Sequence, residues 1–362
     1  MKLRARTVVE GMKEYHPPLG GREGLRLDFN ENVSGCSQKV LECLRAVSAE
    51  TLNKYPERHA GELAVASHLG VDAGRLLLTN GVDEAIHLLC ETYLEPEDEV
   101  LIVVPTFSMY EIYALATGAT ILSIPMGADF SFPLLALLKA INYKTRLICI
   151  ANPNNPTGAA VDLDDLRMIL RSAPQAAVLI DEAYYDFNGE TMLVDLDAFD
   201  NLFVTRTFSK AYGLAGFRLG VLIGDVEQMK MVRRVGSPYN VNGVALECLK
   251  AALEDKAFVA NYCAEVKQGR AQLEAFYNEH KIQCWPSRGN FVLAQFGDSH
   301  SAVTAELKRR GILVRDRNTD PGCAGCVRIT LGSLEQTARL LRVLPEALVA
   351  AGFWKQSPTE AR

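Results

Sequence analysis

The chain has 362 residues, 48% hydrophobic and 23% charged, with a formal net charge of −6, a balance ordinary for a soluble globular enzyme. The negative charge and the lack of any Lys/Arg cluster argue against a nucleic-acid surface, and no apolar stretch nears the ~20 residues of a membrane helix. At this length one large and one small domain are expected rather than a single growing core.

The basic start Met1-Lys-Leu-Arg-Ala-Arg6 is followed by too short an apolar stretch for a signal peptide, so the cytoplasm is the expected location. The first ~50 residues, with Pro17-Pro18 and Gly20-Gly21, read as an arm plus a short helix, and the first strand pattern begins near residue 25. From residue 75 onward, short aliphatic runs alternate with amphipathic ones. Strands are expected at Arg75–Thr79, Glu99–Val104, Thr120–Ile124, Thr145–Ala151, Ala176–Ile180, Leu202–Arg206 and Arg218–Ile223. Helical patterns fall between most of them, at Asp83–Tyr93, Phe107–Thr117, Phe132–Ile141 and Leu163–Arg171. This alternation predicts an α/β fold with a mainly parallel, seven-stranded sheet covered on both faces by helices.

Beyond residue 240 the pattern becomes α+β: one long helix over Gly243–His280, a strand at Phe291–Phe296, a helix at Ala302–Arg310, a strand at Cys326–Leu331 and a helix at Leu334–Val349. The expected division is 1–50 as arm and part of the small domain, 51–240 as the large domain, and 241–362 as interdomain helix and small domain. The nine cysteines, scattered through runs such as Leu88-Leu-Cys90, suit buried reduced thiols better than a disulfide framework. Cys323-Ala-Gly-Cys326 has redox or metal spacing but no second ligand pair, and reads as a loop before a strand; no metal site is expected.

Ligands of such sheets sit beyond the carboxyl ends of the strands, and the chemistry-bearing residues gather there. Asp181 directly follows the apolar run Val178-Leu-Ile180, where a carboxylate is costly unless it meets a cation. Asn152-Pro-Asn-Asn-Pro-Thr-Gly158 follows the Thr145 strand, and Thr207-Phe-Ser-Lys210 follows the Leu202 strand with Arg218 downstream. A pyridoxal 5'-phosphate (PLP) site requires this set: an amine for the aldehyde (Lys210), an acid for the ring nitrogen (Asp181), donors for the phenolic oxygen, and an anion cradle. Lys210 would act as both nucleophile and proton carrier. For the phosphate, Gly81, Val82 and Asp83 open a helix whose first amides can bind an oxyanion, and Thr207, Ser209 and Arg218 add hydroxyls and a guanidinium.

These motifs resemble the fold-type I PLP enzymes and, among them, the histidinol-phosphate aminotransferase family, from Leu27-Asp-Phe-Asn-Glu-Asn32 to Gly332. The resemblance implies that Asn155 and Tyr184 hydrogen-bond the cofactor's phenolic oxygen and that Phe107 stacks on its ring, where the family usually carries tyrosine. It implies that Tyr55 reaches across a homodimer interface to the neighbour's cofactor phosphate. Arg328 and Arg315 match the arginines that bind substrate anions, and Asn30 and Tyr15 match the amino-terminal segment closing over the substrate.

The implied reaction interconverts L-histidinol phosphate and 2-oxoglutarate with imidazole-acetol phosphate and glutamate. Aromatic amino-acid transamination and threonine-phosphate decarboxylation use the same scaffold and remain open. A regulator built on a non-catalytic PLP fold would carry a fused helix-turn-helix domain, for which the chain leaves no room before residue 25.

Overall fold

The computed structural model describes residues 3–16, 20–21 and 23–354, so Pro17, Pro18 and Leu19 of the expected arm lie outside the described residues. Among the described residues, eleven strands form two sheets. The first strand, β1 (Leu25–Leu27), belongs to the smaller one. The larger sheet contains β2 (Leu76–Asn80), β3 (Glu99–Val104), β4 (Thr120–Pro125), β5 (Thr145–Ala151), β6 (Ala177–Asp181), β7 (Leu202–Thr207) and β8 (Leu219–Gly224). Their order is β2-β8-β7-β6-β5-β3-β4, and only β8 runs against the others.

These strands lack a polar face because both faces are covered. Leu76, Leu78, Ile148, Ile150, Val178, Ile180, Leu202 and Val204 enter one core. Their neighbours Leu77, Leu147, Cys149, Leu179 and Phe203 enter a second core on the opposite face. The strand period of two thus divides each continuous apolar run between two helix layers. Helices Leu163–Ser172, His59–Leu69 and Gly243–Glu254 close the first core; Gly81–Tyr93, Met109–Thr117 and Val226–Val235 close the second.

The smaller sheet adds β9 (Phe291–Gln295), β10 (Ile312–Asp316) and β11 (Cys326–Thr330), in the order β1-β10-β11-β9. Its core is closed by the helices Lys256–Glu279, His300–Arg309 and Leu334–Ala350. The Ile312 strand was absent from the predicted elements. Its five residues, only three of them buried, carry too short a period to separate from a loop. β1 pairs in parallel with β10 through Leu25–Leu27, joining the amino-terminal segment to the carboxyl-terminal unit.

One expected element is corrected. The single helix over Gly243–His280 is two, Gly243–Glu254 and Lys256–Glu279, broken at Asp255. Asp255 has φ −93° and ψ 58°, and its carboxylate accepts from the Phe258 amide and from the Ser37 hydroxyl. A short acid that caps a following helix competes with helix continuation, and an uninterrupted apolar period conceals that competition.

The nine cysteines are unpaired, and Cys323 and Cys326 pack with Phe130 and Leu293 at the start of β11. Among the described residues no helix is long and apolar enough to cross a membrane.

The turn from β2 into the helix Gly81–Tyr93 lies directly over β8. A Cβ on Gly220 would meet the Gly81 carbonyl carbon at 2.6 Å and the Val82 amide nitrogen at 2.8 Å. Gly220→Ala is therefore expected to lower stability by about 1–3 kcal/mol and to weaken anion binding at that helix start. Denaturant midpoints with and without cofactor read both effects, and an unchanged midpoint would mean that the turn yields freely.

Candidate active site

The carboxyl ends of β5, β6 and β7 and the start of the helix Gly81–Tyr93 open onto one cavity of about 670 Å³. Its wall contains Lys210, Asp181, Asn155 and Tyr184 from the sequence prediction. Val82, Asp83, Thr207, Ser209 and Arg218 line one side, while Arg315, Arg328, Phe107 and Tyr15 complete the predicted set on the wall.

Asp181 is 4% exposed at the last position of β6. Its Oδ2 accepts from the Tyr110 hydroxyl at 2.6 Å, and its Oδ1 accepts from the Thr205 hydroxyl at 2.9 Å and the Ala183 amide at 3.1 Å. Burial pushes the carboxyl above the usual aspartate range, against the downward pull of these three bonds. Burial, followed by the Asp181 charge, also holds the Tyr110 phenol well above its ordinary value, so it remains a donor.

Tyr110 and Thr205 were not among the predicted site residues. Tyr110 follows Phe107 at helical spacing, which was the available signal. Thr205 reaches Asp181 because β6 and β7 pair these two positions directly, a register the sequence does not state.

Lys210 lies in the loop after β7 and donates to the Phe29 carbonyl at 3.0 Å; its ammonium stands 5.8 Å from the Tyr184 ring centroid. The amino-terminal segment also grips this loop through Asn32 Nδ2, which donates to the Ala211 carbonyl at 3.0 Å. Asn30, 1% exposed, sits behind the wall. Its side chain donates to the Tyr184 hydroxyl at 2.9 Å and accepts from the Thr330 hydroxyl at 3.0 Å. The predicted substrate residue is thus brought to Tyr184 and β11.

At the anion end, the first amides of the helix Gly81–Tyr93 have no acceptor inside the helix. Arg218 donates to Asp83 at 3.0 Å and to the Ala215 carbonyl at 3.2 Å. Arg218 has φ 55°, a left-handed conformation for a non-glycine residue, and such strain concentrates at functional sites. Gly81 has φ 78°, and a Cβ there would stand 2.5 Å from the Arg218 guanidinium. Glycine is required both for the turn and for the approach of Arg218.

On the opposite wall, Arg328 is 5% exposed. It donates to the Asp28 carbonyl at 2.6 Å and to the Asn155 side-chain oxygen, while its Nε is buried without a hydrogen-bond partner among the described residues. Arg315 pairs in register with Arg328 across β10 and β11 and lies 5.5 Å over the Phe29 ring. Although Arg315, Asp316 and Arg317 are consecutive, they do not pair with one another: Asp316 bonds His300 at 2.7 Å and Arg317 pairs with Asp320. Alternation along β10 separates Asp316 from both arginines. Tyr55 lies outside the cavity, 78% exposed and stacked at 4.5 Å on Tyr239.

The residues present fit PLP. The three groups donating to Asp181 are neutral, so among the described residues its buried carboxylate has hydrogen bonds but no cation bonded to it, and a protonated pyridine nitrogen would supply one. An amine, a phenol with a neighbouring amide, and a helix start with an arginine stand around the same cavity. A mainly parallel sheet with this set along its carboxyl edges defines a fold-type I PLP enzyme.

Residues 22–344 match the family "Aminotransferase class I and II". The chain is 36% identical to the histidinol-phosphate aminotransferase of Geobacillus sp. (strain WCH70), the alignment covering 96% of this chain and 98% of that protein. It is 40% identical to the enzyme of that name from Roseobacter denitrificans (strain ATCC 33942 / OCh 114), covering 90% and 92%. Its fold superposes on the histidinol-phosphate aminotransferase of Sinorhizobium meliloti, solved in complex with pyridoxal-5'-phosphate, with a TM-score of 0.87 at 22% identity over 96% of this chain and 98% of that one. The chain belongs to the class I and II aminotransferases.

Removing the Tyr110 hydroxyl tests the support of Asp181. Because that bond favours the ionised carboxylate, Tyr110→Phe should raise the Asp181 pKa further. In cofactor-free protein, ionising a carboxyl whose folded pKa is raised costs stability as pH climbs from the unfolded value towards the folded one. Both proteins bear that cost, so the variant's deficit should grow as pH rises from the wild-type folded pKa to the variant's higher one, to about 1.5–3 kcal/mol once Asp181 is ionised in both. Denaturation at a series of pH values measures it, and a pH-independent deficit would exclude this role.

Proposed function

We propose that this aminotransferase interconverts L-histidinol phosphate and 2-oxoglutarate with imidazole-acetol phosphate and L-glutamate, as a cytoplasmic homodimer. The observation that carries the reading is the pairing of Arg315 with Arg328 across β10 and β11, on the wall of the cavity that also contains Lys210. Two guanidinium groups at that place suit a substrate phosphate in one half-reaction and a carboxylate in the other. The relatives named histidinol-phosphate aminotransferase, at 36% and 40% identity over nine-tenths or more of the chain, support the same choice. Residues 51–240 would hold the cofactor, with 1–50 and 241–362 supplying the substrate-facing wall.

When bound, PLP supplies an aldehyde for amine exchange and a protonated ring that draws electrons from the substrate's α-carbon. The protein's part is to bind, orient and move protons. Lys210 is the amine that holds the cofactor and, released from it, the base that carries a proton from the α-carbon. Asp181 keeps the ring nitrogen protonated, and Tyr110 and Thr205 keep Asp181 ionised and directed. Asn155 and Tyr184 hold the phenolic oxygen, with Asn30 fixing the Tyr184 hydroxyl. Phe107 packs the ring face.

Gly81, Val82 and Asp83, with Thr207, Ser209 and Arg218, hold the cofactor phosphate, joined by Tyr55 from the second subunit. The exposure of Tyr55 and Tyr239 as a stacked pair supports that contact. Arg328 and Arg315 take the substrate anion, and Tyr15 covers it.

In single-turnover experiments the PLP-loaded protein should lose its visible absorption band with L-histidinol phosphate and regain it with 2-oxoglutarate. Conversion of L-phenylalanine alone would move the protein to the aromatic aminotransferases, and carbon dioxide release from O-phospho-L-threonine would make it a lyase. Lys210→Ala should show neither turnover nor the band of the loaded enzyme; a variant that stays active refutes the scheme.

A further inference from the structure

Besides Arg218 at the anion end, three arginines and not two line the cavity: Arg317 joins Arg315 and Arg328. The register of β10 explains the placement. Arg315 stands opposite Arg328, and the ladder continues past the end of β10 through the Arg317 amide, which donates to the Cys326 carbonyl at 2.9 Å. Residues two apart on a strand share a face, so Arg317 follows Arg315 onto the cavity wall while Asp316 turns away to His300. The charges of Arg317 and Arg315 act on Arg328. Arg328 is pushed down to about 10 by burial and then by the charges of Arg317 and Arg315.

Arg317 is only partly used by the protein. It pairs with Asp320, three residues on, the two side chains being 15% and 20% exposed. Its Nε is buried without a hydrogen-bond partner among the described residues. A guanidinium presents its donors as a planar fork, and this one leaves a donor over after meeting its carboxylate. Burial raises the Asp320 carboxyl, against the pull of Arg317, Arg328 and Arg315. Another acid on the cavity, Glu31, is engaged by Arg26 at 3.1 Å.

We propose that Arg317 is a third phosphate-recognising guanidinium of this site, with Asp320 as the counter-ion that holds it in place until a phosphomonoester dianion binds. The assignment rests on the functional reading above and deepens it: Arg317 sets the preference for a phosphorylated substrate over its dephosphorylated form. A single substrate carboxylate is satisfied by one fork. A phosphate with three acceptor oxygens and nearly two negative charges near neutral pH answers an additional one. Asp320, so close to Arg317 in sequence, keeps that charge oriented without closing the cavity.

The test compares kcat/KM of the PLP-loaded enzyme for L-histidinol phosphate and for L-histidinol. Arg317→Gln is expected to lower the ratio of the two by about tenfold to a hundredfold, the weight of a charge-assisted hydrogen bond, through KM for the phosphorylated substrate. Inorganic phosphate should lose potency as a competitive inhibitor by a similar factor. A ratio unchanged within roughly twofold, well below that range, overturns the assignment. Wild-type enzyme that does not transaminate L-histidinol phosphate overturns the functional reading itself, and is seen before any variant is made. If Arg317→Gln does not fold, Asp320→Asn approaches the pair from the other side. Freeing Arg317 should tighten inorganic phosphate binding to the loaded enzyme several-fold, and equal or weaker binding overturns the assignment.

Discussion

The site is arranged around one carboxylate placed where carboxylates are expensive. Asp181 terminates a strand whose other residues are all buried, in the middle of a sheet covered on both faces. It can stay there because two layers of the fold converge on it. The helix Met109–Thr117 brings the Tyr110 hydroxyl from one face, and β7 brings the Thr205 hydroxyl from the adjacent strand. Neither donor carries charge, so the protein solves the hydrogen-bonding part of the problem and leaves the electrostatic part to a cationic ring. The apolar cores on either side give the position its low dielectric, and with it the strength of any pairing made there.

A second constraint is the joining of the two sheets by a short amino-terminal segment. Asp28 receives Arg328, Phe29 receives Lys210, and Asn30 bonds both Tyr184 and Thr330. Asn30 takes a left-handed conformation, φ 56°, which its short polar side chain tolerates better than most. Consecutive residues of one segment thus set the spacing between the amine from the large sheet and the guanidinium from the small one. The anion end is held by different means, a glycine turn and the left-handed Arg218.

Much of this was readable from the residues because parallel strands buried on both faces are continuous apolar runs, and their ends carry the chemistry. Asp181, Asn155 and Lys210 each follow such a run, and the cavity gathers them as expected. What escaped was whatever depends on register or on competition between local structures. Thr205 looks like any core threonine until β6 and β7 are aligned. Tyr110 has the period of a core aromatic, which it also is. Arg317 sits in a charged run that suggests mutual pairing, and only strand alternation separates it from Asp316. Asp255 breaks a helix whose apolar period continues across it, because a capping acid is invisible to periodicity.

The segment that ties Lys210 to Arg328 also has a consequence for how the molecule is made. Asp28 meets Arg328, and Asn30 meets Thr330, across 300 positions of sequence. Contacts between chain positions so far apart form only after a large loop has closed, and they lengthen folding rather than nucleate it. On the ribosome, the strands of the large sheet emerge and can pair while β11 is still unsynthesised. The cavity wall is therefore among the last parts of the chain to assemble, and a nascent protein that already has its central sheet has no place yet for its substrate.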